Sequence, residues 1–219
     1  MAWQYGRMSA TPVPFRRVLW TGVGLLVAGL LLGTGIAFGL ADKPFPLDQA
    51  WQDFLVSIRD PAVSAFAYAM NWLGGGWFGV FVVPLGGAAL LFLAGRRWGA
   101  VFFLAAELVS AAFVQVLKHV VGRARPEDMI VTSDFGSFPS GHVANAATLA
   151  VALFVIFPRV WVGIAGAVWV VLMAFSRTYL GAHWLSDTVG GALIGAAAAL
   201  LVAAVFARVL SAETERLRR

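Results

Sequence analysis

The sequence predicts an all-α, polytopic membrane protein with six transmembrane helices and short interfacial helices between the first and second spans. Three observations predict it. Hydrophobic residues make up 60% of the 219 residues and charged residues 12%, against about 45–50% and about 25% in soluble domains. Mean hydropathy is +0.83. Uncharged runs recur at lengths near the roughly 20 residues that a helix needs to cross a bilayer. No internal repeat and no linker marks a second domain, so residues 1–219 read as one membrane-embedded unit.

Val18 to Ala41 is 24 residues without a charge, follows Arg16 and Arg17, and predicts the first span. Its length and its end at Gly39-Leu40-Ala41 argue against a cleaved signal peptide. Over Pro46 to Arg59, Leu47, Trp51, Phe54, Leu55 and Ile58 recur at helical spacing opposite Asp48, Gln52 and Asp53, the pattern of an interfacial helix. Pro61 to Gly95 runs 35 residues without a charge, too long for one span, and Gly74-Gly75-Gly76 divides it. Pro61 to Leu73 is too short to cross at about 1.5 Å per residue and lies in the interface or re-enters. Trp77 to Gly95 crosses despite Pro84. Trp98 to Val121, Val143 to Phe157, Val160 to Phe175 and Trp184 to Ala207 complete the six.

The basic residues orient these spans. One side holds Arg7, Arg16, Arg17, Arg96, Arg97, Arg159, Arg208, Arg216, Arg218 and Arg219, the other Lys43, Arg59, Lys118, Arg123, Arg125 and Arg177. Ten against six places both termini in the cytoplasm and the second set outside. The net charge of +5 is scattered between apolar spans and builds no continuous basic face, which argues against nucleic acid as a partner. The lipid bilayer and an anionic substrate fit it better. With no Cys in the chain, disulfides, thiolate zinc sites and cysteine nucleophiles are excluded.

Polar groups are expensive at membrane depth unless paired or hydrated, so clusters of them at span ends carry information. Three clusters fall on the outer side. Lys118 precedes Arg125-Pro126 by seven residues, about two helical turns, which predicts two cations on nearly one face of a helix ended by the proline. Pro139-Ser140-Gly141-His142 opens the fourth span. Ser140 is placed to cap that helix, Gly141 admits a ligand close to the backbone, and the free N–H groups suit a phosphate. Ser176-Arg177 is followed by His183 and Asp187, four apart and so neighbours on a helix face, where the carboxylate accepts one imidazole proton and leaves the other nitrogen free to attack.

Together these three clusters resemble the type 2 phosphatidic acid phosphatase superfamily, the lipid phosphate phosphatases, which are relatives of glucose 6-phosphatase and vanadium haloperoxidases. All three family motifs stand between Lys118 and Asp187 without a departure. The resemblance implies a metal-independent membrane phosphatase working through a phosphohistidine, with no cofactor. His183 would be the nucleophile, Asp187 its orienting partner and His142 the general acid. Lys118, Arg125, Ser140, Gly141 and Arg177 would hold the phosphoryl oxygens. Family members of this size often act on undecaprenyl diphosphate; phosphatidylglycerophosphate or phosphatidate, and transfer to a second lipid instead of water, are alternatives.

The residue types suit those roles. Two guanidinium forks and one ammonium bring three positive charges to the equatorial oxygens of a phosphoryl group. A neutral imidazole at 183 and a protonated one at 142 predict a bell-shaped pH profile. A transporter would instead concentrate its polar groups at the midplane, where this chain has only Glu107, read as a contact between helices. Gln115 and Asn145, one turn from Lys118 and His142, are expected to support those side chains, and His119 to sit at the boundary. Glu127, Asp128 and Asp134 are expected to be solvated, or to restrain Arg123 and Arg125. Arg123, beside the assigned cations, is placed to meet a second phosphate of a diphosphate substrate.

Overall fold

A computed structural model describes residues 15–39 and 43–219; Arg7 and the last two residues of the first predicted span, Leu40 and Ala41, lie outside the described residues. Every regular element among the described residues is helical. In order they are α1 (Phe15–Gly39), α2 (Pro46–Ser57), α3 (Pro61–Gly74), a π-helical turn (Phe78–Val82), α4 (Val83–Leu93), α5 (Arg97–Val121), α6 (Gly141–Ile156), α7 (Val160–Tyr179) and α8 (Leu185–Arg216). By length and composition α1, α5, α7 and α8 each suffice to cross a bilayer, and Pro61–Gly74 with Phe78–Leu93 does so as a pair bent by 46°. That makes four spans, or five with the bent pair, among the described residues. The predicted fourth span, Val143 to Phe157, falls on α6, whose 16 residues reach about 24 Å at about 1.5 Å each, short of a hydrocarbon core of about 30 Å.

The predicted division at the glycine triplet is where the pair bends. α3 ends at Gly74, and Gly76 takes φ +55°, a left-handed conformation that side chains disfavour. Pro84 falls in the first turn of α4, where its missing N–H has no helical partner to lose, and the π turn lies directly before it.

Small residues set the packing that positions the site. Along α8, a Cβ on Gly191 would stand 2.5 Å from Ser140 O, and one on Gly195 would collide with Ala144 O. The backbones of α6 and α8 therefore touch, in the manner of small-residue seams between membrane helices. As a result the two helix N-termini lie side by side, with Ser140 N donating to Asp187 O at 3.0 Å. On the other side of α8, Gly22 and Gly29 of α1 lie against Leu201 and Ile194.

Several boundaries differ from the sequence expectation. α5 stops at Val121, because Gly122 adopts φ +59° and its N–H closes on Lys118 O. Arg125 is therefore beyond the helix, and the two-turn spacing is not what brings it to Lys118. α7 runs on to Tyr179 and carries Ser176 and Arg177 in its last turn. α8 continues past Ala207 to Arg216, and its buried Glu213 accepts from Trp98 N (2.7 Å) and Gly99 N (3.0 Å), satisfying the free start of α5.

α2 is inverted relative to a helix lying on water. Leu47 is 68% exposed and Phe54 50%, whereas Asp48 and Gln52 are 2% exposed. In apolar surroundings the hydrophobic side faces outward, and the polar side turns in to meet charged groups of the protein.

Candidate active site

Four helix ends meet at one end of the bundle: the C-termini of α5 and α7 and the N-termini of α6 and α8, joined by the loop 122–140. His183 lies in the turn before α8. It is 2% exposed, and its Nδ1 stands 2.7 Å from Ser137 O. A carbonyl only accepts, so Nδ1 carries the proton and Nε2 is left with its lone pair. Arg125 Nη1 is 3.4 Å from that Nε2. Burial, and then the positive charges of Arg125, Arg177 and Lys118, hold the imidazole well below its ordinary pKa, against the upward pull of the Ser137 bond. His183 is neutral at neutral pH.

The expected pairing of His183 with Asp187 takes a different form. α8 begins at Leu185 with Trp184 as N-cap, so His183 precedes the helix and the four-residue spacing is not a shared helical face. Asp187 Oδ2 is 3.8 Å from His183 Nδ1, beyond hydrogen-bond range. That carboxylate instead accepts from Trp184 N (2.9 Å), Ser137 Oγ (2.5 Å) and Arg123 Nη1 (2.6 Å). Ser137 joins the two residues, giving its hydroxyl to Asp187 and its carbonyl to His183.

The cations converge. Lys118, 3% exposed, donates Nζ to Asp134 Oδ1 (2.9 Å) and Gly136 O (3.0 Å). Arg125 Nη2 donates to the same Asp134 Oδ1 (2.9 Å) and to Gly136 O (2.8 Å), and its Nη1 to Ala182 O. Burial pushes the Asp134 carboxyl up, but the hydrogen bond from Lys118 and the charges of Lys118 and Arg125 outweigh it and hold the group below its ordinary range. Arg177, 1% exposed, donates to Asn71 Oδ1, while Asn71 O accepts from His142 Nε2 at 3.1 Å. Ser140 occupies the N-cap of α6, yet its side chain makes no capping bond, contrary to expectation; its fully buried Oγ has no partner. A Cβ on Gly141 would meet only Val114 Cγ1 at 3.6 Å, an ordinary contact, so the protein's own packing does not demand glycine there.

Of the supporting residues, Gln115 faces outward and only lends its carbonyl to His119 Nδ1 (2.8 Å). Asn145 bonds Gly79 O at 3.0 Å and ties α6 to the π turn instead of holding His142. Arg123 is not free for a second phosphate: it is 2% exposed and lies between Asp187 and Asp48, with Nη2 2.8 Å from Asp48 Oδ2. Glu107 keeps a buried Oε1 without a partner, and no interhelical bond of that oxygen is formed.

Sequence reading missed Asp48, Asn71, Gly75 and Ser137. A Cβ on Gly75 would strike His142 Nε2, so the glycine triplet shapes the wall of the site as well as bending the span. A usable signal existed for Asp48 alone, a carboxylate in an apolar stretch of a chain with an unbalanced cluster of cations. Beside Arg125 lies a cavity of about 280 Å³ lined by Lys43, Gln49, Gln52, Glu127 and Trp184.

Residues 99–210, which include every motif residue named above, match the PAP2 superfamily. The chain belongs to that superfamily. Among PAP2 relatives, a lipid A 1-phosphatase of Rhizobium johnstonii is 34% identical over 123 residues, covering 51% of this chain and 49% of the relative. An undecaprenyl-diphosphatase of Sulfolobus acidocaldarius is 30% identical over 121 residues, 52% and 57% of the two chains. These matches span about half the length of either relative. The PAP2 fold extends further than the matched sequence: the crystal structure of a transmembrane PAP2 type phosphatidylglycerolphosphate phosphatase from Bacillus subtilis superposes with a TM-score of 0.70 at 26% identity, over 91% of this chain and 98% of that one.

Proposed function

We propose that the chain is an integral membrane lipid phosphatase that cleaves a phosphate ester or diphosphate of a lipid at the outer membrane surface through a phosphohistidine. One observation carries this reading: a neutral His183 with Nδ1 held by Ser137 keeps the lone pair of Nε2 beside Arg125, within the positive field of Arg125, Arg177 and Lys118. Nε2 attacks phosphorus as the bond to the lipid oxygen breaks, and that oxygen takes a proton from His142. Asn71 O fixes one N–H of His142, so the protonated ring offers the other, and the phosphate's negative charge favours that form. Water then attacks phosphorus, gives its proton to His142 and releases the Nε2–P bond. Lys118, Arg125 and Arg177 neutralise the equatorial oxygens, the electrostatic term on which phosphoryl transfer chiefly depends.

Undecaprenyl or another polyprenyl diphosphate is the first substrate to test, by similarity to the undecaprenyl-diphosphatase of Sulfolobus. With Arg123 engaged by carboxylates, the cation available to a second phosphate is Lys43, in the cavity beside Arg125. The similarity to the Bacillus structure over nearly its whole length favours phosphatidylglycerophosphate as the second reading. In this reading α6 also crosses, as the fourth of six spans, packed against α5, α7 and α8. The decisive experiment is phosphate release by purified protein from polyprenyl diphosphate, phosphatidylglycerophosphate, phosphatidate and a soluble sugar phosphate. Turnover is expected on a lipid, absent in His183→Ala, unchanged by EDTA and inhibited by vanadate, a mimic of the pentacoordinate phosphoryl group. Activity lost in EDTA and restored by magnesium would refute the metal-independent mechanism.

A further inference from the structure

Asp48 lies in the first turn of α2, outside the residues that match the superfamily. It is nevertheless part of a closed charged array. Its Oδ2 accepts from Arg123 Nη2 (2.8 Å) and Ser186 Oγ (2.6 Å), and its Oδ1 from Ser186 N (2.8 Å). Arg123 Nη1 in turn donates to Ser186 Oγ (2.7 Å) and to Asp187 Oδ1 (2.6 Å). Asp48, Arg123 and Asp187 are each at most 2% exposed, so no solvent screens them. One guanidinium is therefore shared by two carboxylates, and the trio carries one net negative charge.

That surplus charge lies next to the nucleophile. A guanidinium bound to Asp187 alone would cancel the carboxylate that faces the imidazole from 3.8 Å. We infer that Asp48 is a positioning residue for His183: it neutralises Arg123 and so leaves the charge of Asp187 to stabilise the imidazolium that develops as Nε2 bonds to phosphorus. The inference rests on the reading of His183 as nucleophile. Asp48 touches neither His183 nor the phosphate cations, and acts through Arg123 and Ser186.

The test is steady-state hydrolysis of a short-chain polyprenyl diphosphate and of phosphatidate by the full chain in detergent. Asp48→Asn is expected to lower kcat by about tenfold or more with KM within about twofold, the signature of an interaction realised in the transition state. The double variant Asp48→Asn/Arg123→Gln removes the uncompensated guanidinium as well, and is expected to recover most of the lost kcat. The acid limb of kcat/KM is the readout that a purely structural role would not move: it is expected to shift to lower pH in Asp48→Asn, where the net negative charge facing His183 is cancelled, and to return in the double variant, where it is restored. Asp48→Asn with kcat near wild type, a double variant no better than the single, or failure of both variants to fold would each overturn the role. Should Asp48→Asn alone fail to fold, the activity of the double variant decides. His183→Ala separates the two readings: turnover surviving in it sinks the nucleophile, whereas a dead His183→Ala beside an unaffected Asp48→Asn sinks only the Asp48 role.

Discussion

Asp134 pairs with two of the cations proposed to bind the phosphate. Its Oδ1 bridges Lys118 and Arg125, two cations that would otherwise meet phosphoryl oxygens, yet its side chain is 59% exposed. The side chains of the cations are only 4% and 11% exposed, while the carboxylate that bridges them faces solvent, so Asp134 is the partner free to leave when a phosphate arrives. Asp134→Asn is expected to tighten inhibition by inorganic phosphate or vanadate by up to about fivefold; an unchanged or weakened inhibition constant would show that Asp134 holds the cations in place instead. His183 makes a pH prediction with a definite sign. Its pKa is depressed by burial first and by Arg125, Arg177 and Lys118 next, and attack needs the neutral ring. On its account activity is lost as pH falls through the folded value, so the acid limb of kcat/KM lies well below about pH 6.5, the ordinary histidine value. The same depression makes the folded state lose stability below about pH 6.5, where the unfolded chain takes up the proton first. An acid limb at or above pH 6.5 would contradict the burial of His183 in the working enzyme.

At the scale of elements, the site depends on how closely α6 and α8 approach. Gly195 admits Ala144 O where a Cβ would stand, and this contact keeps Ser140 beside Asp187. Gly195→Val is expected to cost about 1–3 kcal/mol, the usual range for overpacking, and to abolish activity by separating the two helix N-termini. Thermal unfolding in detergent measures the first effect and phosphate release the second. Gly24 of α1 provides the control. A Cβ there meets nothing within 4 Å, so Gly24→Ala should leave activity intact and raise stability slightly, since alanine is favoured over glycine by up to about 1 kcal/mol within a helix.

The whole molecule is polar in its charge. The end opposite the site carries Arg16, Arg17, Arg96, Arg97, Arg159, Arg208, Arg216, Arg218 and Arg219. At the site end Lys118, Arg123, Arg125 and Arg177 are occupied within the protein, which leaves Lys43 and Arg59 as its outlying cations. On the retention of basic loops in the cytoplasm, we propose that the site faces outward. A chain without cysteine is convenient for testing this. Glu127→Cys is expected to react with a membrane-impermeant maleimide on intact cells, and Arg159→Cys only after lysis; the reverse pattern would place the site in the cytoplasm.

By itself the sequence determined the helical membrane class and singled out eight candidate residues from Lys118 to Asp187, because apolar runs and short-range spacings are local properties of the chain. It also marked the glycine break that bends the span between Pro61 and Leu93. Only the tertiary structure decided who pairs with whom. Asp48 and Arg123 are 75 residues apart and Asn71 and His142 are 71, and no periodicity relates them. The inward turn of α2 is likewise invisible to a pattern that knows two faces but not which one meets lipid. Asp187 looked like the direct partner of His183 on spacing alone; the start of α8 at Leu185 moved His183 off the helix, and its Nδ1–H donates to Ser137 O. Where a buried charge can choose among several partners at comparable cost, the choice belongs to the packing of distant elements.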